Sequence, residues 1–483
     1  MSLRNAFLSL AAAAVALGGS LAQAQGLRTL RDAEIEIFID DYARPIFRVA
    51  GLPEDSVQII IVNDGSFNAF AGGRYMGVNT GLLTIADTPN QIESVIAHEA
   101  GHLAGGHSAR TGDAIAAASR PMLLSLVLAG AAIAAGAPEA GMGILGLGQT
   151  IGRANFLSYS RGQESTADQA SITYLDKLGH SSKGAVEIWR KMRNTQIIRG
   201  YRINPYSQTH PMANVRLSAL QRRVVGSPFY DRKDSPEEIE RLHYIQAKIY
   251  GFLHDPEVAL RTYPLTDQSG PAQYARAVAF YRTGLIDKGL SEIRKLTAAQ
   301  PDNPFFHELE GQMLFEFGRA REAVGPHRRS TELLTDNALL RINLGRALLA
   351  TGEYADREEA VKELKRALLL ESDNSFGWFE LARAYGAMDN ETLAMLATAE
   401  SRYYAGAQHD ANQFARRAIN RLQRGTPEWR QAADIILATQ PESGGLPLPS
   451  GADDDEAPAP KPTGGEKRGP DVPDPAFAGP EGL

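Results

Sequence analysis

The apolar positions of the chain follow three rhythms, and each predicts a different kind of structure. From Thr29 to Ala50 they recur at helical spacing (Ile35, Ile37, Phe38, Tyr42, Ile46, Phe47), which predicts an amphipathic helix covering a domain. Val57 to Val62 is a β-branched run interrupted only by Gln58 and followed by Asn63-Asp64-Gly65, a strand and a turn. Asn68-Ala69-Phe70-Ala71-Gly72-Gly73 and Tyr75-Met76-Gly77-Val78-Asn79 then read as a hairpin about a glycine pair. Such a hairpin leaves an edge strand, Asn68 to Ala71, to which an extended peptide could add itself by backbone hydrogen bonds. Thr88-Pro89-Asn90-Gln91 announces a helix, with Thr88 as N-cap, Pro89 at N1 and Gln91 completing a capping box.

Helical rhythm then gives way to an apolar block, Pro121 to Gly148. Its longest run, Met122 to Ala135, is about 14 residues, shorter than a bilayer span needs. A buried helical hairpin or a cover over a cleft is expected there, with membrane-surface contact as the alternative. Asn155 to Leu178 and Ala185 to Met192 read as amphipathic helices packed on one another, Ile198 to Thr209 as a loop, and Ala213 to Val224 as a helix bearing Arg216 and Arg222.

Beyond the polar, proline-containing stretch Gly226 to Glu237 the third rhythm begins. Gly284, Gly318 and Gly352 are 34 residues apart, as are Ala277, Gly311 and Gly345. After Tyr354 the step becomes 37, a slip that a few extra residues near Asp356-Arg357 explain, while Gly289, Ala323, Ala360 and Ala394 follow with steps of 34, 37 and 34. Small residues where helices cross, at a period of 34, predict tetratricopeptide repeats whose concave face binds protein segments. Ile245 to Leu260 reads as a degenerate first unit and Ala411 to Ala438 as continuing helix.

The two ends carry no core pattern. Residues 1–24 hold Arg4, the mainly apolar run Ala6 to Leu17 and the small residues Ala22-Gln23-Ala24, the order of a secretory signal peptide. A mature start near Gln25 and, in a bacterial cell, a periplasmic address are expected. From Gln440 onward proline, glycine and acidic residues predict a disordered tail. The expected domains are thus 1–24 signal peptide, 25–225 catalytic domain, 226–240 junction, 241–439 repeats and 440–483 tail.

Composition narrows the chemistry. A net charge of −7 with both signs interspersed offers no footprint for nucleic acid. The absence of cysteine removes disulfides, thiolate metal sites and cysteine nucleophiles, leaving His, Asp and Glu as metal ligands.

Those residue types converge at His98-Glu99-x-x-His102. On a helix, residues four apart share a face, so two imidazoles can hold one metal ion while Glu99 lies beside the open position. Gly101, inside the motif, permits close approach of a neighbouring backbone. His107, on a continued helix, would lie opposite His98 and is read as structural. Glu164 is the candidate third ligand, with Asp168 at i+4 placed to accept the second N–H of a ligating imidazole; the bland alternative is two solvated carboxylates. His210 has three readings: an oxyanion donor, a movable fourth ligand that keeps the enzyme latent, or a helix cap.

These motifs, together with Asn68-Ala69-Phe70-Ala71, Val78-Asn79-Thr80-Gly81-Leu82-Leu83 and Thr209-His210-Pro211, resemble the gluzincin family of the CAAX prenyl endopeptidase, in its soluble, repeat-carrying branch. The resemblance implies an α+β, mainly α fold: a zincin-type domain with a small sheet, then a tetratricopeptide solenoid. It also implies one zinc ion per chain and a periplasmic endopeptidase acting on misassembled outer-membrane proteins. The repeats would contact the client or the assembly machinery, and peripheral membrane contact stays open. The competing expectation is a chaperone or scaffold with a vestigial site.

Overall fold

The computed structural model describes residues 28–134, 137–198, 210 and 214–439. They fall into two compact units that divide between Gln246 and Ala247. The expected signal peptide (1–24), the loop 199–209 and the tail (440–483) lie outside the described residues.

In the first unit four strands form one sheet in the order β1-β2-β4-β3. They are β1 (Thr29–Leu30), β2 (Gln58–Val62), β3 (Ala69–Gly72) and β4 (Tyr75–Asn79). Strands β2 and β4 run parallel; β3 returns antiparallel to β4 through Gly73, whose φ of 59° suits a residue without Cβ. Thr29 and Leu30 are strand rather than the start of the first helix. They pair with Val62 and Ile61, a long-range contact to which two residues contribute no periodic signal. Helix α1 (Ala33–Ala50) starts where the Asp32 side chain accepts the Ile35 N–H at 2.9 Å and stops at Gly51 (φ 73°). It buries Ile35, Phe38, Ile39, Ile46 and Phe47.

After the short α2 (Thr80–Ile85) comes α3 (Pro89–Ala104), which carries the H-E-x-x-H. Its start falls where Thr88 and Pro89 place it, but the capping differs from the expected box. The Gln91 side chain accepts from Asp87 N–H at 2.9 Å, one residue early, and Asp234 accepts the Asn90 N–H at 3.1 Å. A carboxylate brought from far along the chain thus does the work assigned to Thr88.

At Gly105-Gly106 the chain breaks helix, Gly106 taking φ 59°, and starts afresh as α4 (His107–Ala134). This helix and the long α5 (Pro138–Leu178) form the expected hairpin, but its apolar side chains are not buried. Leu123, Leu126 and Val127 are 62%, 59% and 69% exposed, and Met142, Leu147 and Ile151 project from the other arm. Among the described residues the apolar stretches of the two arms pack on each other, through contacts such as Ser125 against Gly148, where an added Cβ would meet the hydroxyl at 1.9 Å. Lower down, α5 crosses α3 closely enough that a Cβ on Gly101 would lie 3.0 Å from Ala167 Cα, the close approach this glycine suggests. Helix α6 (Lys183–Ile198) packs chiefly on α3 rather than on α5, and α7 (Asn214–Val225) packs on α6. Helix α8 (Pro236–Leu253) spans the division.

The second unit is a run of helix pairs. Short α9 (Pro256–Thr262) is followed by α10 (Gly270–Arg282), α11 (Ile286–Ala299), α12 (Pro304–Glu316), α13 (Ala320–Leu333), α14 (Ala338–Thr351), α15 (Tyr354–Leu370), α16 (Ser375–Ala387) and α17 (Glu391–Tyr404). Each pair opens on a side-chain cap, from Ser269, Asn303, Asn337 or Asn374. The first three pairs turn at Gly284, Gly318 and Gly352, all near φ 75°, the left-handed cap that explains the spacing of 34. The slip to 37 lies inside α15, which has 17 residues where α11, α13 and α17 have 14. Ala411 to Ala438 is not one helix but two, α18 (Gln408–Ile419) and α19 (Pro427–Ala438), with Pro427 at the start of the second.

Inside this unit a Cβ on Gly311 would strike the His327 ring at 2.7 Å. His327 is fully buried, and burial, reinforced by the Arg346 charge, lowers its pKa to about 3. The unfolded chain accepts a proton near pH 6.5 that the folded chain refuses, so this histidine withdraws stability as pH falls through 6.5 towards 3, by at most about 1.4 kcal/mol per pH unit. Denaturant melts of the full chain at pH 7 and pH 5 should show the repeat transition weakening, and His327→Gln should flatten that dependence.

Candidate metal centre

Four buried side chains, His98, His102, Glu164 and His210, bring one ligand atom each to within 4.8 Å of one another. Helix α3 delivers the two histidines from one face, α5 delivers Glu164 where it crosses α3, and His210 precedes α7. His98 Nε2 lies 3.1 Å from His102 Nε2, 3.4 Å from His210 Nδ1 and 3.5 Å from Glu164 Oε2. Glu164 Oε1 is 3.4 Å from His102 Nε2 and 2.9 Å from His210 Nδ1. Ligands about 2.0–2.1 Å from a tetrahedral zinc ion stand about 3.3 Å apart, so the cluster has the size of a zinc coordination shell.

The protonation pattern suits a metal as well. His98 Nδ1 lies 3.1 Å from Asp168 Oδ1, and facing a carboxylate that nitrogen carries the proton, leaving a lone pair on the inward Nε2. On His102 the outward Nδ1 is 2.8 Å from His107 Nδ1. Burial and the His102 ring lower the His107 pKa to about 4, so His107 is neutral and shares one Nδ1–H with His102. The two carboxylates also give the site a negative field that favours a positive charge among the imidazoles. Burial alone would lower the His98 pKa, but the Asp168 and Glu164 carboxylates lift it to about 9. Glu164, despite burial, is held far below the usual carboxylate range by His102, His210 and His98.

Two partners were not identified by sequence reasoning. Arg216, on α7, has Nη1 2.5 Å from Glu164 Oε2, Nε 2.6 Å from Asp168 Oδ2 and Nη2 2.8 Å from Asp168 Oδ1. Its guanidinium lies over the Trp189 ring at 5.5 Å, and Trp189 is edge-on to His98. Position on a helix was all the sequence said of Arg216; its place six residues after His210 was the available signal. His107 is structural, as expected, but by a different geometry: the helix break at Gly105-Gly106 folds it back onto His102, so it steadies a ligand. Glu99 is buried with Oε1 3.6 Å from His210 Nε2. Asn68, Ala69, Phe70 and Ala71 bring the sheet edge against α3.

Comparison with known proteins matches residues 29–224 to peptidase family M48. The chain carries an M48 peptidase domain. The M48 domain is that of a zinc metallopeptidase, and its matched span holds all four clustered residues. The chain is 25% identical to the beta-barrel assembly-enhancing protease of Escherichia coli (strain K12) over 407 residues, 82% of this chain and 81% of that protein. It is 23% identical to a putative beta-barrel assembly-enhancing protease of Vibrio cholerae, covering 82% of each chain. Among solved structures, MamA aligns with 34% of this chain and 91% of its own at 18% identity and a TM-score of 0.27.

Since outer partners of metal ligands are typically worth ten- to a hundredfold in affinity, Arg216→Ala should weaken zinc binding by about that factor. Chelator competition reads this directly, with circular dichroism to confirm that the M48 domain stays folded; unchanged affinity would make Arg216 a bystander.

Proposed function

We propose that this protein is a periplasmic zinc endopeptidase that degrades misassembled envelope proteins, outer-membrane proteins among them, while its repeats hold the client or the assembly machinery. The observation that carries this reading is the buried His98–His102–Glu164–His210 cluster with Glu99 beside it. The names of the Escherichia coli and Vibrio cholerae relatives support the outer-membrane setting.

His98, His102 and Glu164 would hold the ion, Asp168 orienting His98. Zinc bound there supplies a Lewis acid for the scissile carbonyl and lowers the pKa of a water towards neutrality. Glu99 takes the proton from the attacking water and delivers it to the leaving amine. An extended substrate lies along Asn68 to Ala71. His210 is read as a removable fourth ligand: its Nδ1 stands 3.4 Å from His98 Nε2 and 2.9 Å from Glu164 Oε1, in the corner that the water needs. The oxyanion-donor reading would require this ring to turn away first, and this position favours a latent state over a vestigial site.

In the second unit a groove of about 370 Å³, lined by Leu368, Leu369, Trp378, Tyr385 and Leu393, suits an apolar client side chain. The hairpin supports peripheral membrane contact, because Met122 to Leu128 expose apolar side chains on nearly every side, with only Ser125 buried. A helix tip whose apolar side chains project outward can dip them into the boundary between headgroups and acyl chains. Among the described residues no helix is long and apolar enough to cross a membrane, so the contact is superficial.

The peptidase reading is tested by zinc content and casein cleavage. Glu99→Gln should keep its zinc and lose at least about a hundredfold in rate, and equal inertness of both zinc-loaded proteins would defeat the reading. His210→Ala should raise basal cleavage; a loss would assign it the oxyanion, and no change a cap. Flotation with phosphatidylethanolamine–phosphatidylglycerol vesicles should retain wild type and release a variant with Leu123, Leu126 and Val127 changed to Ser, and equal behaviour would dismiss the membrane contact.

A further inference from the structure

Strand β3 is the outer strand of its sheet, paired with β4. The Asn79 N–H donates to Asn68 O at 3.0 Å, which fixes which residues of the ladder exchange hydrogen bonds. In an antiparallel pair these alternate, so Phe70 and Gly72 bond to β4 while Ala69, buried, and Ala71, half-buried, turn their N–H and C=O groups away from it, where no strand pairs with them among the described residues. The Ala71 carbonyl on that side is already engaged: Ser108 Oγ donates to it at 3.0 Å. Ser108 belongs to the first turn of α4 and directly follows His107, whose ring steadies His102. The hydroxyl lies close along the strand, 3.4 Å from where a Cβ on Gly72 would stand.

We infer that Ser108 is a substrate-positioning residue, holding the Ala71 acceptor until the backbone N–H of an extended substrate replaces it. The inference rests on the reading of β3 as the strand that receives substrate. An open edge beside a peptidase site is a template for any passing strand, and one hydroxyl on one carbonyl restrains it reversibly. Exchange is selective, because the substrate residue opposite Ala71 must bring an N–H. Proline cannot occupy that position, and segments unable to extend cannot displace the hydroxyl. Threonine, with the same donor, could serve; alanine could not.

The test uses the zinc-loaded full chain and a peptide spanning a casein cleavage site, with a series N-methylated at one backbone nitrogen at a time. Removing a competing neutral hydrogen bond should lower KM about two- to tenfold in Ser108→Ala, with kcat unchanged and Ser108→Thr restoring the wild-type KM. One methylated peptide should show a raised KM that Ser108→Ala no longer improves, because it lacks the N–H that takes the vacated acceptor. If Ser108→Ala leaves KM unchanged or raises it while one methylation still weakens binding, the hydroxyl merely braces the strand and the inference is overturned, with β3 kept as the substrate strand. Should no methylation change KM, β3 does not receive substrate, and that reading falls together with this one.

Discussion

Charge buried away from water has to be matched, and in the first unit that requirement draws three helices, α3, α5 and α7, to one place. Counting formal charges, Glu99, Glu164 and Asp168 contribute three negatives and Arg216 one positive, leaving −2 among buried or nearly buried side chains. Each ion removed from water costs several kcal/mol unless its partner is well placed. A divalent cation brings the sum to zero while the imidazoles stay neutral. An ion held there would serve folding as well as chemistry, because its candidate ligands come from α3, α5 and the segment before α7.

The contrast with the hairpin above the site is instructive. Where α3 crosses α5, Gly101 lets two backbones meet and the apolar residues disappear inward. Along Met122 to Leu128 no third element arrives among the described residues, and residues of the same composition stay in the open. Composition sets how much apolar surface a segment has, but only the presence of a neighbour decides whether it becomes core.

What could be read beforehand divides along the same line. The helix that carries the H-E-x-x-H, its start at Pro89, strands β2 to β4 and the repeat registers were legible because local rules govern them: period and turn residues. His98 and His102 could be picked out as candidate ligands because one helix turn carries both. Glu164 was reached from its i+4 relation to Asp168. The Asp234 cap on α3, the pairing of Thr29 with Val62 and the packing of α6 on α3 were not, since each joins positions far apart in the chain, and Arg216 left only its spacing from His210. The His107 geometry failed for a subtler reason. A helix continued past Gly105 points that ring away, and two glycines were enough to reverse it.

That reversal has a mechanical meaning. Gly105 and Gly106 form an elbow between the ligand helix and a 28-residue arm, and the first residues beyond the elbow grip the centre on one side and the sheet edge on the other. An arm anchored so near its pivot acts as a lever with a short inner limb. The same first turn of the arm therefore touches His102 and Ala71 together, so the candidate centre and the sheet edge share one support.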